Sequence, residues 1–402
     1  MLDSLQMIFD RLLSETSMRH HRFLYNQFNM NHRLTGLIGA RGVGKTTLLL
    51  QLIKRHYADS SRVFYFSADH IYFKENTVYG LIEELYLKRS VTTFFIDEIH
   101  KYENWNQELK NIYDGFPDIK IIFSGSSSLD LIKGSYDLSR RAAIYHLPGL
   151  SFREYLNFSL DTDYPSYSFQ ELMRDYLKIS QEMAARPALL GHFHDYLKQG
   201  FYPFLAEDSL SYYQKLLRVI DKTIYEDISN FYNLKTSSLR IMGKILNYLA
   251  SIPPGEISTY NLGKNLKIDD KTAASYLNML QETGLVEIIY PRETGNQGLR
   301  KPEKVFLNNT NFHYALGSHL ASDIVIGTIR ELAFIQATKN SELDVFHSKQ
   351  GDYQIGSFTF EIGGKNKTRK QVAHVENAIV VKDDTVSATP GSIPLVFFGF
   401  LY

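Results

Sequence analysis

The chain has 402 residues, is 44% hydrophobic, and balances 44 basic against 44 acidic side chains. That length exceeds a single compact core and predicts roughly two to four domains, while the charge balance excludes a global field that would draw the chain to nucleic acid or membrane. There is no cysteine, which excludes disulfides, thiolate metal sites and cysteine nucleophiles and suits a cytoplasmic setting.

Met1 to Leu13 mixes charges with Leu5, Ile8, Phe9, Leu12 and Leu13 at helical spacing. It lacks the continuous apolar stretch of a signal peptide, and no apolar run approaches a membrane span. The apolar run Leu34 to Ile38 then predicts a buried strand. It is followed by Gly39-Ala40-Arg41-Gly42-Val43-Gly44-Lys45-Thr46, and Thr47 to Ile53 predicts a helix. Strand, glycine-rich turn, Lys-Thr and helix together form a complete phosphate-binding loop. Its glycines let successive N–H groups face phosphate, and the helix adds its positive end. Gly39 to Thr47 are therefore the ATP-binding residues. Lys45 is placed for the β- and γ-phosphates, and the Thr46 hydroxyl for Mg²⁺.

Val63 to Phe66 predicts a strand, Val78 to Lys88 a helix, and Phe94-Phe95-Ile96 a second buried strand ending in Asp97-Glu98. This β-α alternation predicts a parallel sheet with both acids at its carboxyl edge. Asp97 is expected to hold the Mg²⁺ shell and Glu98 to polarise the attacking water. The strand Ile119 to Phe123 leads into Ser124-Gly125-Ser126-Ser127-Ser128. Ser124 and Ser126 are candidates to sense the γ-phosphate, with a helix-capping turn as the alternative. Arg140-Arg141 precede a strand over Ala142 to Leu147. An arginine there is a candidate finger, in cis or across a subunit boundary, against a solvated pair as the alternative.

The run Thr93 to Lys101, then Trp105, Ser124 to Ser127, and Leu150-Ser151-Phe152-Arg153-Glu154-Tyr155-Leu156 resembles a group of prokaryotic ATPases of the AAA+/STAND-like kind, which carry an AAA domain followed by a domain of unknown function. The resemblance runs from Leu34 to about Ile228 and includes Gly200-Phe201-Tyr202-Pro203. It implies ATPase chemistry and makes Arg141 the better finger candidate. Gly149 stands where that family usually has proline, with Pro148 one position earlier.

Residues 151–235 read as helices, expected to form a lid subdomain beyond an ATPase core at 1–150. Within 236–312, helices around Leu239 to Leu249, Thr259 to Leu266 and Lys271 to Glu282 (capped by Asp270, closed by Gly284) precede strands Leu285 to Tyr290 and Lys304 to Leu307. That order predicts a winged helix-turn-helix. Its third helix opens on Asp269-Asp270, which disfavours phosphate contact, and the wing carries Arg292, Arg300, Lys301 and Lys304, offset by Glu287, Glu293 and Glu303. Over 313–402, a helix at Gly327 to Leu332 and strand-like runs resemble a small restriction-endonuclease-like α/β fold. The acids there are Glu331 and Glu361; the middle-strand position expected to be acidic is Gln354, with Asp352 two residues away. Lys365 follows Glu361 by four positions where an active site needs two, so a bulge at Gly363-Gly364 would be required.

The fold class expected is thus α/β: a parallel-sheet P-loop core, helical lid, winged helix and degenerate nuclease-like domain. The expected function is a Mg-ATP-hydrolysing switch. It would act on DNA, through the winged helix or the Lys365, Lys367, Arg369 and Lys370 cluster, or on a protein partner, with an oligomer possible and no membrane role. An ATP-dependent nuclease and a non-catalytic nucleic-acid adaptor are the alternatives.

Overall fold

A computed structural model describes residues 2–57, 60–125, 138, 140–186, 188–253, 257–292 and 304–402. Ser126, Ser127, Ser128, Glu293, Arg300, Lys301 and Glu303 lie outside the described residues. The chain divides into two compact units, Met1–Gly149 and Leu150–Tyr402.

In the first unit, strands β1 (Leu34–Ile38), β2 (Val63–Ser67), β3 (Thr93–Asp97), β4 (Lys120–Gly125) and β5 (Ala143–His146) form one sheet in the order β2-β3-β4-β1-β5. Every pairing in it is parallel. A parallel sheet is covered on both faces, so its strands can be apolar throughout; β1 and β3 are buried at every position. Helix α1 (Leu2–Glu15) contacts β2 and also the helix that follows β1. A short turn, α2 (Leu24–Gln27), precedes β1, and α3 (Lys45–His56) follows it. α3 buries Leu48, Leu49, Leu50, Leu52 and Ile53, and its buried Gln51 donates to the carbonyls of Ser17 and His20 at 2.8 Å each. A helix apolar around most of its circumference must be enclosed, and the segment after α1 supplies part of the enclosure. Helices α4 (Val78–Arg89) and α5 (Trp105–Gly115) make the crossovers from β2 to β3 and from β3 to β4.

In the second unit, α6 (Phe152–Leu160) and α7 (Phe169–Ala184) each begin with a reciprocal capping box, Ser151 with Glu154 and Ser168 with Glu171, which satisfies two otherwise orphaned donors. With α8 (Leu189–Gln199) they share one hydrophobic core with the last part of the chain. Phe152, Leu172 and Phe193 pack in the same cluster as Phe334, Phe360, Phe398 and Phe400. Ser151 Oγ and Arg153 Nε both donate to the Tyr402 carbonyl, at 2.6 and 2.9 Å. The boundaries expected at 235 and 312 therefore fall inside this unit, and the helices expected to be a lid have the C-terminal sheet as their core partner.

Helices α9 (Tyr212–Lys222), α10 (Thr236–Ser251), α11 (Thr259–Leu266) and α12 (Asp270–Glu282) precede an antiparallel pair, β6 (Val286–Ile289) with β7 (Lys304–Leu307). Asp269, rather than Asp270, caps α12, accepting from the Thr272 amide at 2.9 Å. After α13 (Thr310–Leu320) and α14 (Ile326–Lys339) comes a second sheet, ordered β12-β11-β10-β9-β8. Its strands are β8 (Phe346–His347), β9 (Tyr353–Ile355), β10 (Phe358–Gly363), β11 (Ala378–Lys382) and β12 (Ser392–Pro394). β10, β11 and β12 run parallel, while β8, β9 and β10 alternate.

Asn311, fully buried on α13, ties these layers together. Its amide nitrogen donates to the carbonyls of Tyr196 and Leu197 at 3.1 and 2.9 Å, and its oxygen accepts from the Phe201 amide and the Tyr212 hydroxyl at 2.9 and 2.5 Å. Two residues on, His313 is 1% exposed, its Nε2 is unpartnered, and burial lowers its pKa to about 4. The unfolded chain takes up this proton near pH 6.5 and the folded chain does not, so stability falls as pH drops from about 6.5 toward 4. Between pH 7 and 5 this one group is expected to remove about 2 kcal/mol. Urea midpoints at the two pH values should show that loss in the wild type and a smaller one in His313→Leu.

Candidate functional site

The turn from β1 into α3 is shaped by both space and backbone angle. A Cβ on Gly39 would lie 2.2 Å from the Leu147 carbonyl oxygen, and Gly42 and Gly44 hold φ of +81° and +96°. Larger residues at these three positions would open the loop or strain it. Lys45 is 5% exposed and its ammonium sits inside the loop, 2.8 and 3.0 Å from the carbonyls of Gly39 and Ala40. Arg41 is half-buried in the turn, and Thr47 is exposed near the start of α3.

Arg22 fixes this loop from outside. Its buried guanidinium donates to the Val43 carbonyl at 2.5 Å, to Pro148 at 2.7 Å and to Gly149 at 2.9 Å. One fork thus clamps the loop to the exit of β5. No local sequence signal marks Arg22, because its partners lie 21 to 127 positions away.

Asp97, 3% exposed at the tip of β3, collects donors from three other elements. Thr46 Oγ1 donates to its Oδ2 at 2.5 Å, and the Tyr65 hydroxyl reaches the same oxygen at 3.0 Å. Ser124, at the tip of β4, donates to Oδ1. Burial first, and the Asp97 charge second, push the Tyr65 phenol far above its ordinary range, so it remains a donor. Glu98 follows in the left-handed region at φ +52°, its N–H donating to Ser124 Oγ at 3.0 Å. Such a backbone in a non-glycine residue costs on the order of 1 kcal/mol and is held here by that bond. His100 Nε2 lies 3.4 Å from the Glu98 carboxylate. The sequence-predicted Lys45, Thr46, Asp97, Glu98 and Ser124 therefore come together, joined by the unpredicted Arg22, Tyr65 and His100. Tyr65 had a signal, as a hydroxyl inside the otherwise apolar run Val63 to Phe66.

Residues 31–156 match the family model described as "AAA domain", and residues 190–320 match a "Domain of unknown function (DUF8612)". The first of these matches takes in the phosphate loop and the five-stranded parallel sheet. The uncharacterized protein MJ1637 of Methanocaldococcus jannaschii is 31% identical over 293 residues, spanning 69% of this chain and 61% of that protein. The chain thus covers less than two thirds of this relative. Among solved structures, replication initiator DnaA bound to AMPPCP and single-stranded DNA is 18% identical, with a TM-score of 0.27 over 67% of this chain and 91% of that one. AMPPCP-bound DnaA from Aquifex aeolicus is 16% identical, with a TM-score of 0.26 over 69% and 88%. At scores this low the likeness carries no weight for this chain's fold or function.

Arg141 is not brought to the phosphate loop of its own P-loop domain. It stands two residues before Ala143, which pairs with Thr35 at the start of β1. The loop begins at the far end of β1, so roughly 20 Å separates them at the usual rise per residue. Arg141 instead faces Asp114, at 3.3 Å, and the Tyr113 ring.

In the second unit, the acids expected of a nuclease are occupied by lysines. Lys304 Nζ, on β7, lies 2.5 Å from Glu331 and 3.3 Å from Asp352, and the Tyr353 hydroxyl donates to Glu331. Asp352, rather than Gln354, is the acid that meets Glu331. Lys365 is exposed; Lys367 reaches Glu361 at 2.5 Å instead, its stem lying across Gly363. β10 pairs regularly with β11 through Gly363, so the bulge that would have brought Lys365 onto Glu361 is absent there. The β6–β7 pair is also tied down: the Tyr290 carbonyl accepts from the His347 amide at 2.9 Å, and Arg292 donates to the Gly356 carbonyl at 2.8 Å.

Removing the Arg22 fork leaves three carbonyls short of a donor. Arg22→Met should lower the stability of the P-loop domain by about 3 kcal/mol and weaken binding of a fluorescent ATP analogue about tenfold. Arg22→Lys should recover only part of both, since one ammonium cannot span the same three acceptors.

Proposed function

We propose that the chain binds and hydrolyses Mg-ATP at the Lys45–Thr46–Asp97–Glu98 site and uses the nucleotide as a switch. The observation that carries this reading is the convergence on Asp97. An acid at one strand tip meets the Thr46 hydroxyl beside the phosphate loop, and the next residue, Glu98, is held by Ser124 from a third element. Thr46 and Asp97 offer hard oxygen donors in contact, the chemistry Mg²⁺ takes. When bound, the ion neutralises phosphate charge. Lys45 is the group for the β- and γ-phosphates, Glu98 for orienting and deprotonating water, and Ser124 for coupling the γ-phosphate position to Glu98. His100 is close enough to set the orientation of the Glu98 carboxylate.

Arg141 is assigned a role across a subunit boundary, a reading supported by its contacts with Asp114 and the Tyr113 ring and by its place near the end of β1 remote from the loop. That makes catalysis a property of an assembly. The nuclease reading is disfavoured by two lysine pairings. Lys304 pairs with both Glu331 and Asp352 and offsets one of their two charges, and Lys367 pairs with Glu361. We read the segment from α10 to β7 as a winged-helix-like element and the last sheet as a nuclease-like scaffold that lacks cleavage. A DNA contact would rest on Lys365, Arg369 and Lys370, which are exposed.

Phosphate release measured across a protein dilution series, with and without duplex or single-stranded DNA, tests this reading. Glu98→Gln should bind ATP normally yet lose at least about a hundredfold in turnover. Wild-type turnover per subunit should rise with concentration, and Arg141→Ala should abolish that rise. Full turnover in Glu98→Gln would refute the site, and a per-subunit rate independent of dilution would refute the trans role. Stimulation by DNA would identify nucleic acid as the target, and indifference to it would point to a protein partner.

A further inference from the structure

Away from the phosphate loop, one cluster in the second unit has the make-up of a transition-metal site. His194 lies on α8, and Asp383 and Asp384 immediately follow β11. His194 Nε2 and one carboxylate oxygen from each aspartate all lie within 4.8 Å of one another, with Nε2 3.1 Å from Asp384 Oδ1. Arg330 grips the outer oxygens of both acids, its Nε donating to Asp383 Oδ2 at 2.9 Å and its NH2 group to Asp384 Oδ2 at 3.1 Å. The Asp383 N–H is anchored on the Gly363 carbonyl at 2.9 Å.

What this network leaves over is Asp383 Oδ1. Asp383 is 6% exposed, and that oxygen is buried without a hydrogen-bond partner. A buried carboxylate oxygen with no donor is costly, and an ion is one of the few things that relieves it. Arg330 already donates to the Oδ2 atom of each carboxylate and leaves this Oδ1 unfilled. We infer that His194, Asp383 and Asp384 form a divalent transition-metal site, for Zn²⁺ in the first instance, with Arg330 holding the two carboxylates in position. One imidazole and two carboxylates are a sufficient zinc ligand set, with a fourth position open. The imidazole selects against Mg²⁺ and Ca²⁺, which favour all-oxygen shells. Arg330 plays the part of the groups that hydrogen-bond ligating carboxylates and fix their direction. With a neutral imidazole, two carboxylates and one guanidinium sum to one negative charge, which a dication overcompensates only slightly. The site would pin α8 to the turn after β11, two segments separated by almost two hundred residues, and so add to the cohesion of this unit independently of nucleotide.

The test uses the 402-residue chain, stripped with a chelator and titrated with ZnCl₂ without ATP or Mg²⁺. Zinc uptake by equilibrium dialysis and the melting temperature of the unit are both followed. Wild type should take up one equivalent that both His194→Ala and Asp384→Asn lose or bind at least about tenfold more weakly. Zinc should raise the wild-type melting temperature and leave that of the variants unchanged. His194 and Asp384 are partly exposed, so these variants are expected to fold, which their melting curves in the absence of zinc will verify. Arg330→Gln should bind zinc at the same stoichiometry with lower affinity. Equal uptake in wild type and both variants, or no zinc-dependent stabilisation of the wild type, would overturn the site and leave an ordinary histidine–carboxylate ion pair.

Discussion

A single buried carboxylate organises the nucleotide-binding half of this protein. Asp97 is removed from water at the tip of β3, and a carboxylate in that position persists only if donors surround it. Three hydroxyls supply them: Thr46 from the first turn of α3, Tyr65 from β2 and Ser124 from β4. The sheet order β2-β3-β4-β1-β5 makes this possible. β4 stands between the acidic strand and the strand that carries the loop, and Ser124 at its tip touches both Asp97 and the Glu98 amide. The left-handed turn at Glu98 follows from that bond. The phosphate loop is therefore coupled to the residue proposed to handle water through contacts that the protein makes by itself, before any ligand contributes.

The second unit is held by a different constraint, the return of residues 395–402 onto helices that precede them by more than two hundred positions. Leu395 to Phe400 are all buried, and the Tyr402 carbonyl accepts from Ser151 and Arg153 at the start of α6. Asn311 does the same for α8, α9 and α13, using both ends of its amide. Polar pins of this kind contribute less through their own energy than through the penalty of leaving them unmade. They set which helices face one another inside an otherwise aromatic core. The same logic extends to the acid pairs of the last sheet, where Lys304 and Lys367 take up charges that the nuclease-like arrangement would reserve for metal.

Much of the first unit was legible in the sequence. Leu34–Ile38, the glycine loop and the run ending in Asp97-Glu98 are local signals, each carried by contiguous residues whose spacing and composition are decisive. The five strands and the helix Val78–Arg89 fall within a residue or two of the positions read from the sequence, whereas the helix Trp105–Gly115 was not read. Arg22 was invisible because its function is to reach carbonyls distant in sequence, and residue type alone left Arg141 open between a cis and a trans role, since its position depends on strand direction. In the second unit the element order from Leu239 to Leu307 was readable, whereas the packing partner of the preceding helices was not. Nothing in the amphipathic pattern of Phe152 to Gln199 says whether its apolar face meets nucleotide-binding elements or the C-terminal sheet. Lys367 replaced Lys365 on Glu361 for a similar reason: the strand remains regular through Gly363, and only a side chain returning from the following turn can reach back.

The most direct test of the central claim is the Mg²⁺ dependence of ATP binding in wild type and in Asp97→Asn, measured at equilibrium with a fluorescent analogue. If Thr46 and Asp97 together receive the ion, Mg²⁺ should tighten nucleotide binding about tenfold or more in the wild type. It should have little effect in the variant, whose affinity without Mg²⁺ stays close to that of the wild type. Equal tightening in both proteins, or no nucleotide binding by the wild type, would contradict the account.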